Sequence, residues 1–222
     1  MVECGPDCRA VTTATVSKRT PNPSWWPHPK AAFDVVAIAA SAGGLRALTS
    51  VLSALTSDFP AAVVVVQHLD PRHRSLMAEL LSRQSRLPVK QAEEGDALRP
   101  GSVFVAPPDR HLLVNADGTL SLSKTELVHF LRPSADLLFE SVAASFKDRA
   151  IAVVLTGTGS DGASGLQAIK KMGGTVVTQD EGTSEFFGMP SAAIQTGRVD
   201  FVLPLNEIGQ ALTTLVVRGD SA

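Results

Sequence analysis

Hydrophobic positions along this chain fall into two patterns. Val35–Ala40, Ala62–Gln67 and residues 151–155 are short runs, apolar throughout but for the closing Gln67, the pattern of strands covered on both faces. Between them apolar side chains recur three and four apart. Leu45, Leu48, Val51, Leu52 and Leu55 predict a helix that stops at Asp58, Phe59 and Pro60, and Leu76, Leu80 and Leu81 predict a second. Residues 135–146 predict a third, with Leu137, Leu138, Val142 and Phe146 on its apolar side. Residues 89–105 read as two short strands around Gly95, Asp96, Pro100 and Gly101, and residues 175–178 and 199–203 as two more. Residues 111–115 and 119–123, joined through Asp117 and Gly118, predict a hairpin. A helix with Pro190 at its first position is expected, then a last one from 206 to about 217. The alternation predicts an α/β fold: a doubly wound, mostly parallel sheet flanked by helices, a Rossmann-like three-layer sandwich with the β-hairpin at its edge.

Residues 1–31 carry no sustained periodicity, and their PNPSWWPHPK stretch, with Trp25 and Trp26, predicts an extended arm ahead of a domain at 32–222. The 222 residues, 44% of them apolar, suffice for one such domain with a sizeable core. Cys4 and Cys8 both lie in the arm, and with His28 they match no common metal-site spacing, so neither a metal nor a core disulfide is expected. A reducing, cytoplasmic setting fits. A formal net charge of −2 without a dense Lys/Arg block argues against a nucleic-acid partner. No apolar run approaches the length of a membrane span and no signal peptide is visible, so no membrane insertion is expected.

Candidate chemistry gathers at the strand ends. Ser41 follows the first buried strand and opens the turn Ser41-Ala42-Gly43-Gly44; on its own it would serve equally as a helix cap. His68 ends the second strand. A β-α-β unit is right-handed and usually makes its strands neighbours, so Ser41 and His68 emerge side by side, as a nucleophile and its base would. The glycine-rich turn after residue 155 carries Asp161 and admits two readings. If its strand lies on the other side of the first, Asp161 reaches the same crevice and completes a Ser-His-Asp triad. Amides of Ala42 and Gly43, and of Thr158 and Gly159, would then bind the oxyanion. Alternatively Gly157, Gly159 and Gly162 satisfy the G-x-G-x-x-G fingerprint, with Asp180 placed for a ribose, and the chain binds a dinucleotide.

AASAGG, QH, HFLRPSADLLF, LTGTGSDGASG and FFGMPSAAI, in this order, resemble the catalytic domain of the CheB chemotaxis protein-glutamate methylesterases, over residues 33–212. The resemblance implies hydrolysis of glutamate γ-methyl esters on methylated chemoreceptors or receptor-like helical proteins, releasing methanol, often with deamidation of glutamine, and without a cofactor. It places the nucleophile on Ser41, the base on His68 and the orienting acid on Asp161. A catalytically silent binding module of the same fold is the remaining alternative.

The chain departs from the usual family pattern at Ala42, where a threonine is common, and at Thr158 and Ser160, where methionine and asparagine are. A hydroxyl from Thr158 or Ser160 is expected to replace the one missing at Ala42. Full-length members resemble a receiver domain joined to the esterase. About 31 preceding residues are too few for one, so control by a separate regulatory partner, or constitutive activity, is expected. Arg132 and Met189 are candidates for a substrate groove; Arg72, His73, Arg74 and residues 186–190 are weaker ones. His111 and His129 read as surface residues.

Overall fold

In the computed structural model, residues 31–69, 75–128 and 131–217 are described. Expectations about the arm, including Cys4, Cys8, Trp25, Trp26 and His28, and about Arg72, His73, Arg74 and His129, lie outside these residues.

The strands are β1 (Val35–Ala40), β2 (Ala62–Gln67), β3 (Val89–Gln91), β4 (Val103–Val105), β5 (His111–Val114), β6 (Leu120–Ser123), β7 (Ala150–Val154), β8 (Thr175–Gln179) and β9 (Phe201–Leu203). The helices are α1 (Gly44–Ala54), α2 (Met77–Ser82), α3 (Ala135–Phe146), α4 (Ala163–Lys171), α5 (Gly188–Gln195) and α6 (Leu205–Val217). Seven strands form one sheet in the order β3-β4-β2-β1-β7-β8-β9, every neighbouring pair parallel. Successive side chains of a strand point to opposite faces. Val35, Ala37 and Ala39 therefore pack with α3, α4 and α5, and Val36, Ile38 and Ala40 with α1, α2 and α6. Both layers are apolar, with Phe139 and Leu138 fully buried in one and Leu48 and Leu212 in the other. Each such side chain contributes about 1.5–3 kcal/mol relative to exposure. Among the described residues no helix is long and apolar enough to cross a membrane.

The winding direction reverses at β1. The chain runs outward through β2 to β4, then returns to β7 on the other flank of β1, with Ala40 opposite Gln67 and Ala39 opposite Val154. The carboxyl ends of β2, β1 and β7 thus open into one crevice, the usual ligand position in such sheets.

The hairpin forms with its predicted turn as a two-stranded sheet of its own at the edge of the main one: the Leu120 N–H donates to the Asp96 carbonyl and the Gly95 N–H to the Leu120 carbonyl, in the segment joining β3 to β4. Its other strand meets α3, where the Val114 N–H donates to Ser141 Oγ and Ser145 Oγ donates to the Val114 carbonyl. One expectation is corrected. Pro190 is the third residue of α5, not the first, because Gly188 and Met189 already enter the helix where the Met189 N–H donates to the Gly157 carbonyl. A proline is tolerated there, since the first-turn N–H groups have no intrahelical acceptor.

At the amino ends of the central strands β1 and β7, buried Arg149 pairs with buried Asp34 through Nε at 2.6 Å and also donates to the Ala31 carbonyl. Burial pushes the Asp34 carboxyl above its usual range, and the guanidinium pulls it back. Arg149→Met leaves that carboxylate buried and unpaired. It should cost about 3–5 kcal/mol in urea denaturation, most of it recovered when Asp34→Leu is added.

Candidate active site

The turn that bears Ser41, the candidate nucleophile, is built by backbone geometry. Gly43, at φ 76°, adopts a left-handed conformation that a side chain would strain, and this lets β1 turn sharply into α1. The Ser41 N–H donates to the Thr156 carbonyl beyond β7, and the Ser41 carbonyl accepts from Gly44 N–H and from Gln67 Nε2. The Ala42 and Gly43 amides have no hydrogen-bond partner among the described residues and stand at the start of α1, where the helix dipole favours negative charge. Ser41, Ala42, Gly43, Gly44, Gln67 and His68 line one open cleft of about 820 Å³, with Glu185 on its other side.

His68 follows β2, its N–H donating to the Ala40 carbonyl. Its Nε2 lies 2.8 Å from Asp161 Oδ2, and the side chains are 10% and 1% exposed. With Nε2 donating to the carboxylate, Nδ1 is the nitrogen free to accept a proton. Asp161 in turn caps α3: its carboxylate accepts from Ala135 N–H at 2.6 Å, Asp136 N–H at 3.2 Å and Ser134 Oγ at 2.9 Å. Burial alone would raise this carboxyl, but the hydrogen bonds from His68, Ala135 and Ser134 and the charge of His68 outweigh it and hold it below its ordinary value.

Behind Ser134 lies a residue that pattern reading misplaces. His111 is not on the surface but fully buried; its Nδ1 accepts the Ser134 N–H, and its Nε2 donates to the Glu126 carbonyl. Thr156 was likewise not anticipated. Its hydroxyl, rather than that of the exposed Thr158 or Ser160, reaches the nucleophile turn, donating to the Ala42 carbonyl at 3.1 Å. The apolar approach of β7 gives no sign of it.

Neither groove candidate lines the cleft. The Arg132 guanidinium is taken up by Asp109, at 2.6 Å, and by the carbonyls of Lys124 and Thr125. Met189 is 1% exposed and packs against Gly157, where a Cβ would stand 2.3 Å from its sulfur and 2.8 Å from Ser41 Cβ. The methionine thus supports the serine from below.

The dinucleotide alternative is not favoured. The Gly157 N–H donates to the Phe186 carbonyl, and Gly188 packs over Gly157, Thr158 and Gly159, so residues 186–189 cover the ground a pyrophosphate needs. Asp161, within the fingerprint, faces inward to His68, and Asp180 is engaged by the Thr183 amide and hydroxyl. Thr158 and Gly159 themselves are exposed at the turn.

Because Asp161 is held below 3.8 in the folded protein, its ionised form stabilises the fold at pH values above 3.8, and this contribution is lost as pH falls below that value toward the folded pKa. Urea midpoints of the wild type should therefore drop through this acid window. Asp161→Asn should start lower at neutral pH and lack that part of the slope.

Residues 36–212 match the family described as CheB methylesterase. A protein-glutamate methylesterase/protein-glutamine glutaminase 2 of Anaeromyxobacter dehalogenans is 47% identical over 189 residues, 85% of this chain and 55% of the relative. The protein-glutamate methylesterase/protein-glutamine glutaminase of Moorella thermoacetica is 41% identical over 194 residues, 86% of this chain and 46% of the relative. The chain spans about half the length of these two curated relatives. The crystal structure of the Thermotoga maritima CheB methylesterase catalytic domain superposes with a TM-score of 0.80 at 40% identity, covering 83% of this chain and 99% of that one. By its sequence match over residues 36–212, and by a fold shared at 40% identity, the chain belongs to the CheB methylesterase family.

Proposed function

We propose that this chain is a serine hydrolase that demethylates glutamate γ-methyl esters, and deamidates glutamine, on a methylated chemoreceptor or receptor-like helical protein in the cytoplasm. The observation that carries the reading is the His68–Asp161 contact of 2.8 Å beside the strand end that bears Ser41. The names of the relatives supply the substrate class.

In this mechanism Ser41 Oγ attacks the ester carbonyl while His68 Nδ1 takes its proton. The C=O electron pair moves onto oxygen, and the Ala42 and Gly43 amides receive the resulting oxyanion. Collapse of the tetrahedral intermediate breaks the C–O bond to the methoxy group, which leaves as methanol with the proton from His68. Water, deprotonated by the same imidazole, then attacks the acyl-enzyme and releases the glutamate carboxylate and free Ser41. For glutamine the leaving group is ammonia. Asp161 holds the imidazole with its proton on Nε2 and stabilises the charged form that appears twice in the cycle.

A wide cleft suits this substrate, because the ester is presented on a macromolecule and not enclosed. Loss of Ser41 should remove turnover with little effect on folding. Purified protein mixed with methylated receptor membranes should release methanol, and Ser41→Ala should release none above background. Asp161→Asn should lower kcat by about 10⁴-fold. Methanol release from folded Ser41→Ala at the wild-type rate would sink the assignment.

A further inference from the structure

Gln67, the last residue of β2, is 4% exposed and has one task that its neighbours reveal. Its Nε2 donates to the Ser41 carbonyl at 2.7 Å and to the His68 carbonyl at 3.0 Å, so a single amide group ties the turn bearing the nucleophile to the turn bearing the base. The orientation of the amide follows from chemistry: turned over, its oxygen would face two carbonyl oxygens.

The other end of the amide is costly to the fold. Oε1 is buried without a hydrogen-bond partner among the described residues, against the first turn of α1. It occupies the space a side chain on Gly44 would need, since a Cβ there would stand 1.9 Å from it. An unpaired buried acceptor weakens a fold, and the two donated bonds are what the side chain sets against that cost.

They also belong to a longer connection. Ser41 N–H donates to the Thr156 carbonyl, Thr156 N–H to Gln179 Oε1, and Gln179 Nε2 to the Thr183 carbonyl. Hydrogen bonds thus run from the end of β2 across β1 and β7 to β8, with a buried glutamine near each end. Among the described residues, Gln67 is the side chain that hydrogen-bonds to the backbone of both turns.

We propose that Gln67 is a positioning residue that sets the separation of Ser41 from the His68 imidazole by fixing the two carbonyls that follow and flank them. The inference rests on the proposed esterase chemistry. Gln67 contacts no reacting atom; it acts through the backbone of Ser41 and His68. A displacement of about 1 Å between reacting groups lowers a rate by about 100-fold, which sets the size of effect to seek.

The test compares wild type, Gln67→Met, which keeps length and removes both donors, and Gln67→Glu, which keeps shape and places an acceptor where the donor was. Three quantities are read on folded protein: the rate at which a fluorophosphonate probe labels Ser41, kcat and KM for methanol release from methylated receptor membranes, and the downfield imidazole N–H resonance of His68. Both variants should lower labelling and kcat by about 100-fold, with KM unchanged and the His68 resonance retained. A scaffolding role alone predicts a different result: lower melting temperature with wild-type labelling per folded molecule, or loss of the His68 resonance together with the rate. Either would overturn the proposal. If one variant fails to fold, the other decides. If wild-type Ser41 is labelled but no methanol appears, the receptor assignment fails while the labelling ratio still judges Gln67. If wild-type Ser41 is not labelled at all, both readings fall.

Discussion

The carboxylate of Asp161 at the amino end of α3 is the interaction on which the rest of the site depends. Burying an ionised carboxylate is expensive unless its lone pairs are met by donors, and here two backbone amides, the Ser134 hydroxyl and the His68 ring meet them. The donors come from two separate parts of the chain, residues 134–136 and His68, and the carboxylate from a third. Only when α3 packs on the sheet, and the loop after β7 turns back toward β2, do they converge. The acid that holds the imidazole is therefore also the cap that the helix lacks from its own N-cap residue, Ser134, whose hydroxyl points at Asp161 and not at its own helix.

The sheet supplies the other half of the convergence. Because the winding reverses at β1, the turns after β1, β2 and β7 adjoin without any one loop having to be long. Parallel register then places Ala40 beside Gln67, so Ser41 and His68 follow at equal depth. Small residues finish the fit. Ala37, Ala39 and Ala40 keep β1 thin enough for helices to approach on both faces, and Met189 fills the space beneath Gly157 and Ser41.

Much of this was legible in the sequence, for identifiable reasons. The bounds of β1, β2 and α3 follow from apolar runs that end on polar or helix-opening residues, and the neighbourhood of Ser41 and His68 follows from the handedness of β-α-β units. Asp161 admits two readings, and the place of β7 on the other side of β1 decides between them. What was not legible depends on contacts distant in sequence. A histidine beside a strand gives no local sign that another loop's amide will bury it, so His111 reads as a surface residue. Arg132 looks free until Asp109, 23 positions away, claims it. Met189 turns inward at the start of α5, where its N–H donates to the Gly157 carbonyl. The hairpin is held between α3, through Ser141 and Ser145, and the segment joining β3 to β4, through Gly95 and Asp96, contacts no strand pattern encodes.

The double duty of Asp161 separates two kinds of selection. In a lineage that gave up hydrolysis, pressure to keep a folded domain would still retain Asp161, Ser134 and His111, since α3 depends on them for its cap. Ser41 carries no such burden: its backbone makes the structural bonds, and its side chain could drift. Under the proposed esterase chemistry, the serine and not the aspartate is the position whose loss would mark a retired enzyme.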